Sequence, residues 1–490
     1  MSTVHPSTSS RHWWTLAVLS IAQLMVVLDA TVINIALPRA QLDLGFSNAN
    51  RQWLITAYAL AFGSLLLLGG RLSDLLGRRN ALYIGLTGFA LASAAGGAAH
   101  SFAMLVTARA VQGAFGALLA PAALALLTTT FQDPKQRAKA FSIYGALSAS
   151  GAAIGLLLGG ALTQWASWRW CLFINLFFAA FALVGVALFV SAGKSEHKTR
   201  LDPLGTVLGC VGLFFLVYGL SHAVTSSWSN PVTWGSLVAS VVLLALFTLW
   251  QGRAKFPLLP LHLVTNRTRG GSLIGLFITA IGLFGVSLFL AYYLQNTLGY
   301  SPLRTGVAFL PLVLAIALSA TVASARLLAK VGPRPLVPAG MILGMLGMIL
   351  FTKLTVHADY VGNVLPGLIV TGLGLGLIFA PATASATAAI RPADAGTASA
   401  LVNTSQQIGG SVGTALLNTL AVSARMHAMP LKANAASASS YGYEVAKATV
   451  HGYAVAFWWS AAFFGVGALV TFALLESGVP ELEGDLVPLL

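Results

Sequence analysis

Apolar residues run along this chain in blocks of about 20, and the charged residues fall almost entirely in the short stretches between the blocks. Wound as a helix at ~1.5 Å per residue, such a block crosses a hydrocarbon layer ~30 Å thick. With loop residues and charges as boundaries, the pattern predicts helices over 13–37, 51–70, 80–99, 103–130, 138–163, 169–191, 203–223, 231–251, 272–296, 303–329, 334–354, 360–388, 397–424 and 451–475. These fourteen segments leave no stretch from which a soluble domain of any size could be built. The first follows a polar start and shows no small-residue cleavage site, so it is expected to be a retained helix and not a signal peptide.

Composition points the same way. Of the 490 residues, 57% are hydrophobic and 8% charged, where soluble proteins carry about 25% charged residues. The expected fold class is therefore an all-α polytopic membrane protein. Cys171 and Cys210 lie in or beside apolar segments and form neither a disulfide framework nor a metal site. A net charge of +14 would suit nucleic acid if it were gathered on one stripe, but the Lys and Arg are scattered over short loops. The expected partner is the lipid bilayer, with no nucleic acid. With the N-terminus inside, eighteen of the 27 Lys and Arg fall on the cytoplasmic side and eight outside, with Arg109 alone left within a span. Basic residues collect in cytoplasmic loops, so both termini are placed in the cytoplasm and the chain in the cytoplasmic (inner) membrane.

Two parts of the sequence match at an offset of roughly 255 to 260 residues. GRLSDLLGRR (70–79) aligns with ARLLAKVGPR (325–334), pairing Gly77 with Gly332 and Arg79 with Arg334. GALLAPA (116–122) aligns with GLIFAPA (376–382), pairing Gly116 with Gly376 and Pro121 with Pro381, and Gly151 and Gly155 match Gly409 and Gly413. The offset spans eight predicted helices, two more than a six-helix repeat needs. Residues 203–251 are therefore read as an insertion. This gives an N-terminal six-helix bundle over 1–191, two extra helices with their linkers over 192–271, and a C-terminal six-helix bundle over 272–490. Parallel-repeat halves with a site between them near the bilayer midplane are one architecture of secondary transporters.

At these motifs the chain resembles the major facilitator superfamily, and within it the fourteen-helix drug:proton antiporter branch. GRLSDLLGRR looks like that family's signature loop between helices 2 and 3, and LVTARAVQGAFGA (105–117) like its helix 4 signature with a buried arginine. LDATVINIALP (28–38) is similar to the branch's helix 1 signature, and SWRW (167–170), LGYSPLRTG (298–306) and ALVNTSQQIGGSVG (400–413) look like the same branch. One motif departs from the pattern. The helix 5 antiporter signature has Gly-Pro, and GAAIGLLLGG (151–160) has Leu156 where proline is expected. The glycines Gly151, Gly155, Gly159 and Gly160 keep their spacing and their close-packing role, while the proline kink and the export direction it accompanies are left open.

Asp29 is the one acid well inside a predicted span and Arg109 the one base. Helix 1 runs outward and helix 4 inward, which puts Asp29 roughly 12 Å and Arg109 roughly 9 Å below the outer surface. A charge at the centre of a span costs around 2.5 to 3.5 kcal/mol on insertion scales, and such residues face a polar interior or mark a proton path. Burial favours a neutral acid and a neighbouring guanidinium an ionised one, so relative motion of the two loads or unloads a proton. A static ion pair that orients helices 1 and 4 is the competing reading.

Asp74 stands at the cytoplasmic, C-terminal end of helix 2, where the helix dipole disfavours a carboxylate. Its expected partners are Arg78, Arg79 or the N-terminus of helix 13 near Gly396. The resemblance implies a cytoplasmic gate built on Gly70, Asp74, Gly77, Arg78 and Arg79. A solvated loop acid is the alternative. Ala329 occupies the matching position of the second half, so the latch is one-sided. Candidates to line the substrate cavity are Asn34, Trp53, Tyr58, Gln112, Tyr292, Tyr293, Asn296, Asn403, Gln406 and Gln407. Each could equally serve as a helix-to-helix hydrogen bond. Rings and amides with little fixed charge suit small amphipathic compounds, cationic ones among them. GLGLG (372–376) lies within a span with no strand before it, which favours glycine packing over a nucleotide loop.

The leading expectation is a secondary transporter, not an enzyme, that exports a drug-like or secondary-metabolite compound in exchange for protons, as a monomer. It would use the proton gradient as its energy source, with no cofactor, catalytic residue or metal. Uptake or facilitated transport of a small metabolite, and a membrane sensor that has lost transport, are the alternatives.

Overall fold

The computed structural model describes residues 8–46, 53–131, 133–191, 201–323, 327–388, 390, 394–429 and 438–478. Among them there is no strand. The long helices are α1 (Thr8–Leu44), α2 (Trp53–Leu76), α3 (Arg78–Gly97), α4 (Phe102–Thr130), α5 (Pro134–Trp165), α6 (Trp170–Phe189), α7 (Pro203–Thr225) and α8 (Pro231–Gln251). They continue with α9 (Arg267–Thr297), α10 (Leu303–Val322), α11 (Pro333–Phe351), α12 (Tyr360–Ala386), α13 (Ala395–His427) and α14 (Ala438–Leu474). Each predicted segment falls on one of these. Among the described residues, 11 helices are long and apolar enough to cross a membrane. The others, α3, α5 and α13, are 20, 32 and 33 residues long and carry more small and polar side chains.

The boundaries differ where polar turns extend an apolar block. The first helix was expected to end at 37, before a proline, yet α1 runs on to Leu44. It stops at Gly45, whose φ of 67° and N–H to the Gln41 carbonyl (3.0 Å) form a left-handed C-terminal cap. α14 starts thirteen residues before the expected 451, because its polar first turns are helical outside the apolar run. The C-terminal part of α9 widens into π-helical turns over Val286–Leu290 and Tyr293–Thr297, which no periodicity in the sequence announces.

Helices α1 to α6 pack among themselves, and so do α9 to α14. Close approach depends on glycine at the α2–α4 crossing, where a Cβ on Gly113 would collide with the Tyr58 carbonyl and one on Gly69 with the Ala117 carbonyl. The residues matched by the repeat occupy matched places. Gly77 (φ 82°) and Gly332 (φ 72°) both open the helix after the loop in a left-handed conformation. Gly116 of α4 packs on Phe62 of α2, as Gly376 of α12 packs on Ile316 and Ala320 of α10. Gly155 of α5 packs on α1 at Thr31, as Gly413 of α13 packs on α9 at Ile281.

The two sets of six meet along two seams. On one, α2 lies against α13; on the other, α5 lies against α10 and α12. The hairpin of α7 and α8 sits on the first seam, with α7 touching both α2 and α13. In this hairpin the start of α7 and the end of α8 are tied by Asp202, 7% exposed, which caps α7 at the Gly205 N–H (2.9 Å) and accepts from Trp250 Nε1 and Gln251 Nε2 (both 3.0 Å). Its other end is held by Trp228, whose Nε1 donates to Thr419 Oγ1 of α13 at 2.5 Å.

Candidate functional site

Asp29 of α1 is 1% exposed and receives donors from two neighbouring helices. Arg109 Nη1 of α4 reaches Oδ2 at 2.5 Å, while Gln112 Nε2 of α4 and Asn175 Nδ2 of α6 reach Oδ1 at 2.7 and 2.8 Å. Arg109 and Gln112 stand three residues apart on one face of α4. Arg109 Nη1 also donates to Gln112 Oε1 at 2.9 Å, and its Nε to the Leu54 carbonyl of α2 at 3.4 Å. One turn on from Leu54, the ring of Tyr58 lies 4.4 Å from the guanidinium, a cation–π contact. Ser93 Oγ of α3 closes the cluster, accepting from Gln112 Nε2 (2.6 Å) and Asn175 Nδ2 (3.2 Å). Arg109 is 1% exposed, and Gln112, Asn175 and Ser93 are 0%. Desolvation of the two charges is thus offset in part by these hydrogen bonds, without which a buried pair is costly; Asn175 Oδ1 and Tyr58 Oη have no partner among the described residues.

Where α2 ends and α13 begins on their shared seam, Asp74 Oδ1 accepts the Gly396 N–H at 3.2 Å and lies 3.6 Å from Arg78 Nη2. The carboxylate thus faces the first turn of α13, whose free N–H groups and dipole attract it. Gly70 lets this happen, since a Cβ there would collide with Ala400 and the Gly396 carbonyl. Arg78 also donates to Thr129 Oγ1 of α4 (3.2 Å), and Arg79 to the Ala187 carbonyl of α6 (3.3 Å). A further bond between the two sets runs from Arg137 of α5 to the Thr387 carbonyl after α12.

The cavity candidates are dispersed. Tyr58 and Gln112 belong to the Asp29 cluster. Trp53 is exposed at the start of α2, and Tyr292 and Asn296 are exposed on α9. Tyr293 is fully buried and donates through Oη to the Thr355 carbonyl at 2.7 Å, tying α9 to the turn after α11. On α13, Asn403 donates to its own helix at the Ser399 carbonyl (2.9 Å), and Gln406 and Gln407 are half-buried, with Gln407 against Gly63 of α2. The side chains of Asn34 and Leu156 lie outside those described. Gly151, Gly155 and Gly159 pack on α1 at Val27, Thr31 and Val32, and Gly160 is buried.

The sequence reading missed Asn175 and Ser93, because a single Asn or Ser in an apolar block carries no periodic signal. It also missed a clasp near the C-terminal end of α1. There Asp43 accepts from Trp168 Nε1 and Arg169 Nη2, both at 3.0 Å, and Arg169 Nη1 bonds the Gly97 and Ala99 carbonyls at 3.0 and 2.6 Å. The SWRW stretch held that signal, but its partner lay beyond the predicted end of helix 1.

Comparison with known proteins follows the same outline. The profile of the Major Facilitator Superfamily matches residues 19–414. The chain is 48% identical over 467 residues to the puromycin resistance protein pur8 of Streptomyces alboniger, covering 95% of this chain and 90% of that one. It is 36% identical over 407 residues to the cephamycin export protein CmcT of Amycolatopsis lactamdurans, covering 81% and 83% of the two chains. A third relative, the tetracenomycin C resistance and export protein of Streptomyces glaucescens, is 36% identical over 418 residues, with 84% and 76% covered. Among solved structures, the fold is similar to that of the proton:xylose symporter XylE (TM-score 0.67, 14% identity, 96% and 97% covered).

Proposed function

The chain belongs to the major facilitator superfamily, and from that premise we propose that it is a proton-driven exporter of antibiotic-like small molecules, working by alternating access between two six-helix halves. It is a transporter and not an enzyme, and its similarity to resistance and export proteins extends over nearly its whole length. The cargo we infer is a bulky amphipathic compound of the kind those relatives' names carry, with puromycin the first to test. The exporter acts as a monomer in the cytoplasmic membrane, with both termini in the cytoplasm and α7 and α8 inserted between its halves.

One observation carries the coupling: a carboxylate 1% exposed, whose single countercharge among the described residues comes from another helix. Shifting α4 against α1 would withdraw the guanidinium and leave a buried acid that favours its proton; restoring the contact would expel it. The Asp74–Gly396 contact is the cytoplasmic latch of this reading. One proton crossing 100 mV releases roughly 2.3 kcal/mol, enough for about a 45-fold cargo gradient.

The test uses inverted vesicles loaded with a pH dye. Puromycin added outside should release protons from the acidified lumen, and Asp29→Asn should abolish the release. Puromycin movement that ignores the pH gradient, or release that persists in Asp29→Asn, rejects the proposal.

A further inference from the structure

Among the described residues, each hydrogen-bond partner of Asp29 is a donor, an arrangement suited to the ionised acid. Arg109 has no acceptor to offer, and Gln112 turns its Nε2 to Asp29 while its Oε1 accepts from Arg109 Nη1 at 2.9 Å. Once protonated, Asp29 must itself donate, and a buried O–H with no acceptor is heavily penalised. Asn175 holds the missing acceptor. Its Nδ2 is spent on Asp29 Oδ1 (2.8 Å) and Ser93 Oγ (3.2 Å), while its Oδ1, on a side chain 0% exposed, has no partner among the described residues.

The geometry points to Asn175 as a reversible amide partner of the proton site, turning about its Cβ–Cγ bond as Asp29 gains or loses a proton. This rests on the proton-coupling reading above. In the loaded state a hydronium from the outer side gives its proton to Asp29 Oδ1, the oxygen not held by Arg109, and leaves as water. The amide turns by half a revolution, a rotation with a broad and shallow profile in asparagine. Its carbonyl then accepts the new Asp29 O–H. Ser93 Oγ, which accepted from Nδ2, rotates its hydroxyl to donate to the same carbonyl, while still accepting from Gln112. Release to a water on the inner side reverses each step, and no proton resides on Asn175. The ionisable groups that face this carboxylate are Arg109 from α4, Tyr58 from α2 and Cys171 from α6. Neither Ser93 of α3 nor Thr31 of α1 adds a charge. Asn175 is thus a positioning residue that stabilises both protonation states in turn.

Proton-induced infrared difference spectra of the reconstituted full chain test this. Lowering the pH should produce a protonated-carboxyl C=O band that is lost in Asp29→Asn. With it should come a side-chain amide C=O band moving to lower frequency, shifted further by asparagine labelled with carbon-13 at the side-chain carbonyl and absent in Asn175→Ser. Asn175→Leu should slow proton-driven export about 10-fold, the equivalent of about 1.4 kcal/mol for one unmade hydrogen bond. Asn175→Ser, whose hydroxyl both donates and accepts, should recover most of that loss. An Asp29 band with no accompanying label-sensitive amide band overturns the role of Asn175 and leaves the proton site standing. Absence of the Asp29 band overturns the proton site itself. The labelled native chain keeps the question answerable if a variant fails to fold.

Discussion

Arg109 and Asp29 were legible as a pair from helix direction alone, since two spans running oppositely put them at nearly one depth. Their shell was not. Gln112 followed from its spacing to Arg109, whereas Ser93 and Asn175 join only when α3 and α6 close on α1. The shell makes a stability prediction. Arg109→Met leaves a buried carboxylate with amide donors and no countercharge, and should destabilise the protein by about 3–5 kcal/mol. Adding Asp29→Asn removes the orphaned charge and should recover much of that loss. Thermal unfolding of the two variants in detergent checks this, and a double variant no more stable than the single one would show that the pair does not carry its burial cost jointly.

At the scale of helices, glycine decides how close the seams come. The repeat was visible in sequence because the same backbone demand recurs: Gly77 and Gly332 adopt left-handed φ at equivalent loops, and Gly116 and Gly376 admit equivalent neighbours. What stayed hidden was where helices stop, because polar turns of α1 and α14 outrun the apolar blocks, and the π-helical turns of α9 obey no simple period. Gly70 gives the sharpest consequence. Gly70→Val should hold the end of α2 and the start of α13 apart and weaken the Asp74–Gly396 contact. A cysteine placed at Ser73, fully buried in this state, should then react with maleimide at least ~10-fold faster than in the Gly70 background, if the latch contributes the ~1.4 kcal/mol of a charge-assisted bond. Unchanged labelling would mean that this contact does not hold the seam shut.

Across the whole molecule, the hairpin of α7 and α8 reads as a module with its own fastening. Asp202 ties the start of α7 to the end of α8 through a backbone N–H and two side-chain donors, so Asp202→Ala leaves three buried or half-buried donors unmet. The expected cost is about 2–3 kcal/mol. It should appear as a lower unfolding temperature, while puromycin-induced proton release below that temperature persists, because Asp202 lies outside the Asp29 cluster. Loss of proton release in a folded Asp202→Ala chain would show that the hairpin takes part in coupling.

The position of that hairpin also breaks the symmetry of the molecule toward its surroundings. Of the two seams between the halves, α7 covers the one along α2 and α13, while the one along α5, α10 and α12 has no such cover among the described helices. Anything approaching from the surrounding lipid is therefore met by an added helix on one flank and by the packed faces of α5, α10 and α12 themselves on the other.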